Sequence, residues 1–213
     1  MRKPRILIAD DHPLLAEGIA GILRNEFDVI GTVHNGREVI AEAERLLPDL
    51  ITLDIGMPEL NGLEAARRLH KQMPHIKLVF VTQLVDLRYL RAALQAGAIA
   101  FVAKQTASSE LLTAVRKALR GSRYITPLLE DVFADEPAGS GHADKEPLEV
   151  LTPRQREVLQ MVAEGHTARY ISEKLQISRK TVEFHKNSVI MALGLRTTAD
   201  LIRFAVAQGI VNS

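Results

Sequence analysis

Four short apolar runs in the first half of the chain each stop on a polar residue, and the stops make a chemical set. Ile6-Leu7-Ile8-Ala9 runs into Asp10 and Asp11, Leu50-Ile51-Thr52-Leu53 into Asp54, Leu78-Val79-Phe80-Val81 into Thr82, and Ile99-Ala100-Phe101-Val102-Ala103 into Lys104. Near-continuous apolar strands are the signature of burial on both faces, hence of a parallel sheet. In such a sheet the stops meet at the carboxyl edge, where open α/β folds place their ligands. Three carboxylates, a hydroxyl and an amine at one edge suit a divalent cation and a phosphoryl group.

A fifth run, Phe27 to Val33, carries Asp28 and Gly31 and reads as an edge strand. Between the runs lie helical periodicities such as Leu14, Leu15, Gly18, Ile19, Ile22 and Leu23, or Leu63, Ala66, Leu69 and Met73. Strand and helix alternate five times, which predicts a doubly wound α/β domain with a five-stranded parallel sheet.

The chain has 213 residues and no cysteine, so disulfides and thiolate metal sites are excluded. No apolar stretch approaches the roughly 18 residues of a membrane span, and Met1-Arg2-Lys3 leads into a strand too short and too acidic at its end for a signal peptide. The expectation is a cytoplasmic protein with no membrane partner.

The formal net charge of +1 hides three zones. Residues 1–123 carry 17 basic and 14 acidic side chains, 124–148 carry one and six, and 149–213 carry nine and six. The middle zone, with Asp135-Glu136-Pro137-Ala138-Gly139-Ser140-Gly141, reads as a flexible acidic linker. Three segments follow: a domain over 1–123, a linker over 124–148 and a mildly basic domain over 149–213.

That last zone has dense helix punctuation. Thr152-Pro153-Arg154-Gln155 is a capping box with proline at the first helical position. Thr167 opens a short second helix with Ile171 and Leu175 inward, and Gln176-Ile177-Ser178 makes a tight turn into a third helix reaching Leu193 and Gly194. Two short helices joined by such a turn describe a helix-turn-helix, whose second helix enters the DNA major groove. A fourth helix starts at Thr197, with Asp200 completing its capping box.

Asp10-Asp11-His12-Pro13, Leu53-Asp54-Ile55-Gly56-Met57-Pro58 with Asn61-Gly62, Thr82, and Phe101 three residues before Lys104 match the motifs of a response-regulator receiver domain. Leu151 to Leu159, Ile177-Ser178 and Thr181-Val182-Glu183-Phe184-His185 match a LuxR-type DNA-binding domain. Residues 4–121 and 149–211 therefore resemble the two halves of a NarL/FixJ-type response regulator, which implies a flavodoxin-like receiver and a second, all-α helix-turn-helix domain.

The resemblance implies roles. Asp54 is the phosphoacceptor, taking a phosphoryl group from a sensor histidine kinase. Asp11, Asp54 and the backbone carbonyl of Gly56 hold Mg²⁺, with Asp10 acting through a bound water. Lys104 pairs with phosphoryl oxygens, and Thr82 hydrogen-bonds one of them and forms a switch with Phe101. DNA at a promoter operator meets Arg179, Lys180, Thr181, Glu183, Phe184, His185 and Lys186, the lysines on phosphates and Glu183 and Phe184 on base edges. A homodimer forms on phosphorylation, and RNA polymerase is a candidate partner. The protein is then a transcription regulator and not an enzyme.

Some residues stay open in sequence. Phe101 reads equally as core or switch, His185 as a packed residue or a phosphate contact, and His12 as a first-turn helix residue rather than a metal ligand. Gln83 occupies a position that is usually small in receivers, and Glu183, Ser188 and Ala192 stand where basic residues are frequent. Two alternatives are a Mg²⁺-dependent phosphohydrolase and a regulator that works unphosphorylated. The first lacks a second carboxylate at Ile55 or Gly56; the second has no need of all five site residues.

Overall fold

The structure is a computed structural model and describes residues 2–134, 148 and 150–211. It divides into two compact units, Met1–Glu136 and Pro137–Ser213.

In the first unit, strands β1 (Arg5–Ala9), β2 (Asp28–Val33), β3 (Leu50–Leu53), β4 (Lys77–Thr82), β5 (Ala100–Ala103) and β6 (Tyr124–Ile125) form one sheet in the order β2-β1-β3-β4-β5-β6. Every neighbouring pair is parallel. Helices α1 (Pro13–Leu23), α2 (Gly36–Leu46), α3 (Gly62–Gln72), α4 (Leu87–Gln95) and α5 (Ala107–Leu119) connect them, and α6 (Pro127–Ala134) follows β6.

Alternation along the strands splits the core in two. Ile6, Ile8, Leu50, Val79, Val81 and Val102 pack with Ile19 and Leu23 of α1 and Leu111 and Val115 of α5. Leu7, Ile51, Leu53, Phe80 and Phe101 pack with Val39 of α2, Leu69 of α3 and Leu90 of α4 on the opposite face. Both sheet faces are covered, which is why the strands read as unbroken apolar runs.

The sheet has six strands, not five. Ala100 pairs with Tyr124 and Phe101 with Ile125, and the Thr126 amide donates to the Phe101 carbonyl at 2.8 Å. Ile125 and Leu129 are buried against the Phe101 side of the core. The segment 124–134, read from sequence as the start of the linker, is therefore a strand and a helix. Its apolar residues were hidden by the acidic average of residues 124–148. The acidic stretch 135–147 lies outside the described residues.

The second unit is α-helical: α7 (Pro153–Ala163), α8 (Ala168–Leu175), α9 (Arg179–Ala192) and α10 (Thr198–Ala207). Thr152, Thr167, Ser178 and Thr197 cap the four helices as their side-chain oxygens accept backbone amides, and Thr152 and Thr197 complete capping boxes with Gln155 and Asp200. Val158, Leu159, Met161, Ile171, Leu175, Val182, Val189, Leu201 and Ala205 form their common core. Arg154 fixes α7 to the end of α8, donating to the Leu175 carbonyl at 2.6 Å. Among the described residues, no helix is long and apolar enough to cross a membrane.

Candidate functional site

Strand register sets the geometry of the site. Ala9 pairs with Leu53, so Asp10 and Asp54 leave adjacent strands side by side, and the Asp54 amide donates to the Ala9 carbonyl at 2.9 Å. Thr82 pairs with Ala103, the residue before Lys104. The carboxyl edge thus gathers Asp10, Asp11, Asp54, Thr82 and Lys104.

The Lys104 ammonium lies 2.7 Å from Oδ2 of Asp54, to which it donates, and 2.9 Å from Oδ2 of Asp10. All three side chains are nearly buried, at 5%, 6% and 1% exposure. Burial raises the Asp10 carboxyl above its ordinary value and outweighs the contrary pull of Lys104 and the His12 amide. For Lys104 burial acts downward, but Asp54 and Asp10 together outweigh it and hold the ammonium above the usual lysine value. The amine is a fixed positive charge between two carboxylates.

Carboxylate oxygens of Asp10, Asp11 and Asp54, with a ring nitrogen of His12, all lie within 4.8 Å of one another. Oδ2 of Asp10 and Oδ1 of Asp11 are buried and lack a hydrogen-bond donor, although Lys104 and His12 approach them as ion-pair partners. Crowded, hard oxygen donors with unfilled lone pairs fit a divalent cation of the Mg²⁺ type. Gly56 sits in the bend after β3, two residues from Asp54.

His12 caps the backbone start of α1 without a side-chain cap, and its Nδ1 lies 2.9 Å from Asp11 and 3.4 Å from Asp10. The expectation that it belongs to the helix start is met in the backbone, while the ring joins the carboxylate cluster. Spacing alone does not show which way that ring turns.

The loop after Asp54 is held by close backbone approach. The Gly62 amide donates to the Ile55 carbonyl at 2.9 Å, and a Cβ on Gly62 would stand 1.9 Å from the Asp54 carbonyl oxygen. Asn61 caps α3 at the same point, accepting the Glu64 amide. The Asn61-Gly62 pair therefore fixes the backbone that carries Asp54.

Thr82 is fully buried and its Oγ1 accepts the Leu84 amide at 3.2 Å. Phe101 is also fully buried, in the same core cluster as Phe80 and Leu90, against which Leu84 and Val85 pack. Gln83 lines an open cleft of about 500 Å³ with Leu15, Val85, Lys104 and Gln105. This long amide stands on the approach to Lys104.

Residues 6–116 match the model described as the response regulator receiver domain, and 149–205 match the bacterial regulatory proteins of the luxR family. The chain belongs to the NarL/FixJ-type response regulators. This response regulator is 33% identical over 212 residues to the transcriptional activator protein ExaE of Pseudomonas putida, spanning 97% of this chain and 98% of that one. It is 30% identical over 215 residues to the oxygen regulatory protein NreC of Staphylococcus aureus, at 98% and 99% coverage. Among solved structures it resembles RcsB of Salmonella enterica serovar Typhimurium, bound to a promoter in the presence of a phosphomimetic, with a TM-score of 0.62 and 26% identity over 97% of this chain and 100% of that one. The response regulator is thus a transcription regulator, not an enzyme, with a receiver and a LuxR-type DNA-binding domain.

Within the DNA-binding domain, α8 and α9 are joined by a tight turn over 176–178, the arrangement of a helix-turn-helix, in which the second helix is the one that enters a major groove. Arg179 and Lys180 are exposed, and Thr181 is half-buried with its hydroxyl 2.8 Å from that of Ser178. Glu183 and Lys186 pair with each other at 2.6 Å, Lys186 being only 21% exposed, and both line a cleft with Val162, His166, Ala168 and Ile171. Phe184 is 66% exposed. His185 is half-buried, its buried Nδ1 without a hydrogen bond and its ring edge-on to Phe184.

The residues named from sequence, Arg179, Lys180, Thr181, Glu183, Phe184, His185 and Lys186, do not include Asn187 and Met191, which are exposed on the same face as Lys180 and Phe184. The signal that could have found them is helical spacing: 180, 184, 187 and 191 form one stripe.

Proposed function

We propose that this response regulator is switched by phosphorylation of Asp54, and that the acyl phosphate controls sequence-specific DNA binding. The observation that carries the reading is the Asp10–Lys104–Asp54 bridge at the carboxyl edge. A buried lysine between two carboxylates is poised for a phosphoryl group, because its charge can transfer from carboxylate oxygens to phosphoryl oxygens without leaving the site.

The donor is a phosphohistidine on a sensor kinase. The Asp54 carboxylate attacks phosphorus, a P–O bond forms, the P–N bond breaks, and its electron pair stays on the departing imidazole nitrogen. Asp10, Asp11, Asp54 and the Gly56 carbonyl would hold Mg²⁺, which when bound offsets the charge of crowded carboxylates and phosphoryl oxygens. Lys104 holds the transferred group, and Thr82, keeping the Leu84 amide on its oxygen, donates its hydroxyl hydrogen to a phosphoryl oxygen. Water attack on phosphorus later restores the carboxylate and frees inorganic phosphate. Gln83, on the approach to Lys104, bears on how readily that water enters.

Movement of Thr82 pulls on the Leu84 and Val85 segment, which packs against the core cluster that holds Phe101, and the change favours a homodimer. A dimer presents two recognition helices to two half-sites of a promoter. RcsB is bound to a promoter in the presence of a phosphomimetic in the structure that this chain resembles, which supports this coupling.

The test is intact-mass measurement after treatment with a small acyl phosphate and Mg²⁺. The parent takes up one phosphoryl group and Asp54→Asn takes up none. Equal labelling of both, or labelling unaffected by chelating the cation, would contradict the assignment.

A further inference from the structure

The recognition helix α9 turns an unusual face outward. Its exposed stripe runs Lys180, Phe184, Asn187 and Met191, with Phe184 66% and Met191 75% exposed. Both side chains lie outside the core of the domain and are open to a partner surface. Arg179 and Lys180 stand exposed at the start of the helix. The one acid on α9, Glu183, is held by Lys186 at 2.6 Å. The stripe is therefore positively charged at its N-terminal end and free of unpaired negative charge, which suits a polyanion and places the phosphate contacts there.

Two neighbouring residues of the stripe can read bases. The Asn187 amide is exposed and makes no hydrogen bond among the described residues, and an amide of this kind matches the N6 and N7 edge of adenine with two hydrogen bonds. Phe184, one turn before it, has no polar group to offer a base edge and is suited to the C5-methyl of thymine. Glu183, the acid that the motif alone would assign to a cytosine, is paired with Lys186 and lies off this stripe. We propose that Asn187 and Phe184 are the specificity-determining residues of this regulator and that they read an adenine and a neighbouring thymine methyl in each half-site. The proposal rests on the DNA-binding reading of the second unit and names which bases that unit prefers.

The experiment uses the full chain, treated with a small acyl phosphate and Mg²⁺, to enrich duplexes from a random pool. Each thymine of the enriched site is then replaced in turn by deoxyuridine, which removes only the methyl. One thymine per half-site should cost the parent about fourfold in affinity, the worth of one buried methyl group. Phe184→Ala should bind the thymine and deoxyuridine versions equally. Asn187→Ala should lose about five- to 150-fold of the discrimination for adenine at the adjacent position. Both side chains are exposed, so neither change threatens folding, and Met191→Ala controls for lost apolar surface by retaining both preferences. A flat deoxyuridine scan in the parent, an unchanged scan in Phe184→Ala, or enriched half-sites read through G·C pairs would overturn the proposal. If the parent retains no duplex even at low salt, the DNA-binding reading itself falls and takes the proposal with it.

Discussion

Lys104 is the residue on which the receiver site turns. It neutralises two carboxylates that burial has brought together, so Lys104→Met leaves both without a counter-charge. Breaking a buried pair of this kind costs about 3–5 kcal/mol, and urea unfolding should show a loss of that order which millimolar Mg²⁺ partly restores. An unchanged midpoint would mean that the bridge contributes nothing to the fold. Tyr124 supplies an independent check. Burial, then the nearby Glu110 and Glu130 carboxylates, raise its phenol to about 12 from 10.0, while Lys117 faces the ring from α5. The folded state favours the neutral phenol, so this contribution is full below pH 10 and is lost as pH rises through about 12. Near pH 10.5 the phenolate absorbance of the parent should therefore match that of Tyr124→Phe; an extra phenolate in the parent would contradict the burial. Asp10, Asp11, Asp54 and Lys104 were legible in sequence because a parallel sheet sends every strand end to one edge. The turn of the His12 ring was not, since it depends on side-chain packing that spacing does not encode.

At the scale of elements, the loop between β3 and α3 and the helix α1 respond oppositely to the same change. Gly62→Ala drives a methyl into the Asp54 carbonyl, a contact of backbone on backbone with no flexible end to move. About 3 kcal/mol or more of destabilisation is expected. Gly18 lies exposed within α1 with nothing near its missing Cβ, so Gly18→Ala should stabilise by about 0.5–1 kcal/mol through helix propensity. Denaturation midpoints that move the same way in both variants would contradict the packing around Gly62. The four C-terminal helices were legible at their starts because Thr152, Thr167, Ser178 and Thr197 are capping residues whose hydrogen bonds are local. β6 and α6 were not, because Tyr124, Ile125 and Leu129 are a short apolar run inside an acidic zone. Their partners, β5 and the Phe101 side of the core, are supplied by the tertiary fold.

At the scale of the whole molecule, the two units divide the labour of signal reception and DNA recognition. The mild basic excess of the second unit and the few cations of α9 imply modest affinity for a single copy, which two copies on two half-sites would raise. Phosphodonor treatment should therefore enlarge the dimer fraction in sedimentation, and Thr82→Ala should keep phosphoryl uptake yet lose most of that shift. Uptake and dimerisation both undiminished in Thr82→Ala would remove this hydroxyl from the switch. If Asp54 chemistry governs DNA binding, the affinity of the full chain for its enriched duplex must change on phosphodonor treatment. The parent should tighten by about five- to 150-fold, the usual span of coupling between two sites, with Asp54→Asn unchanged; an equal response of both proteins, or none in a parent shown to be phosphorylated, would contradict the account.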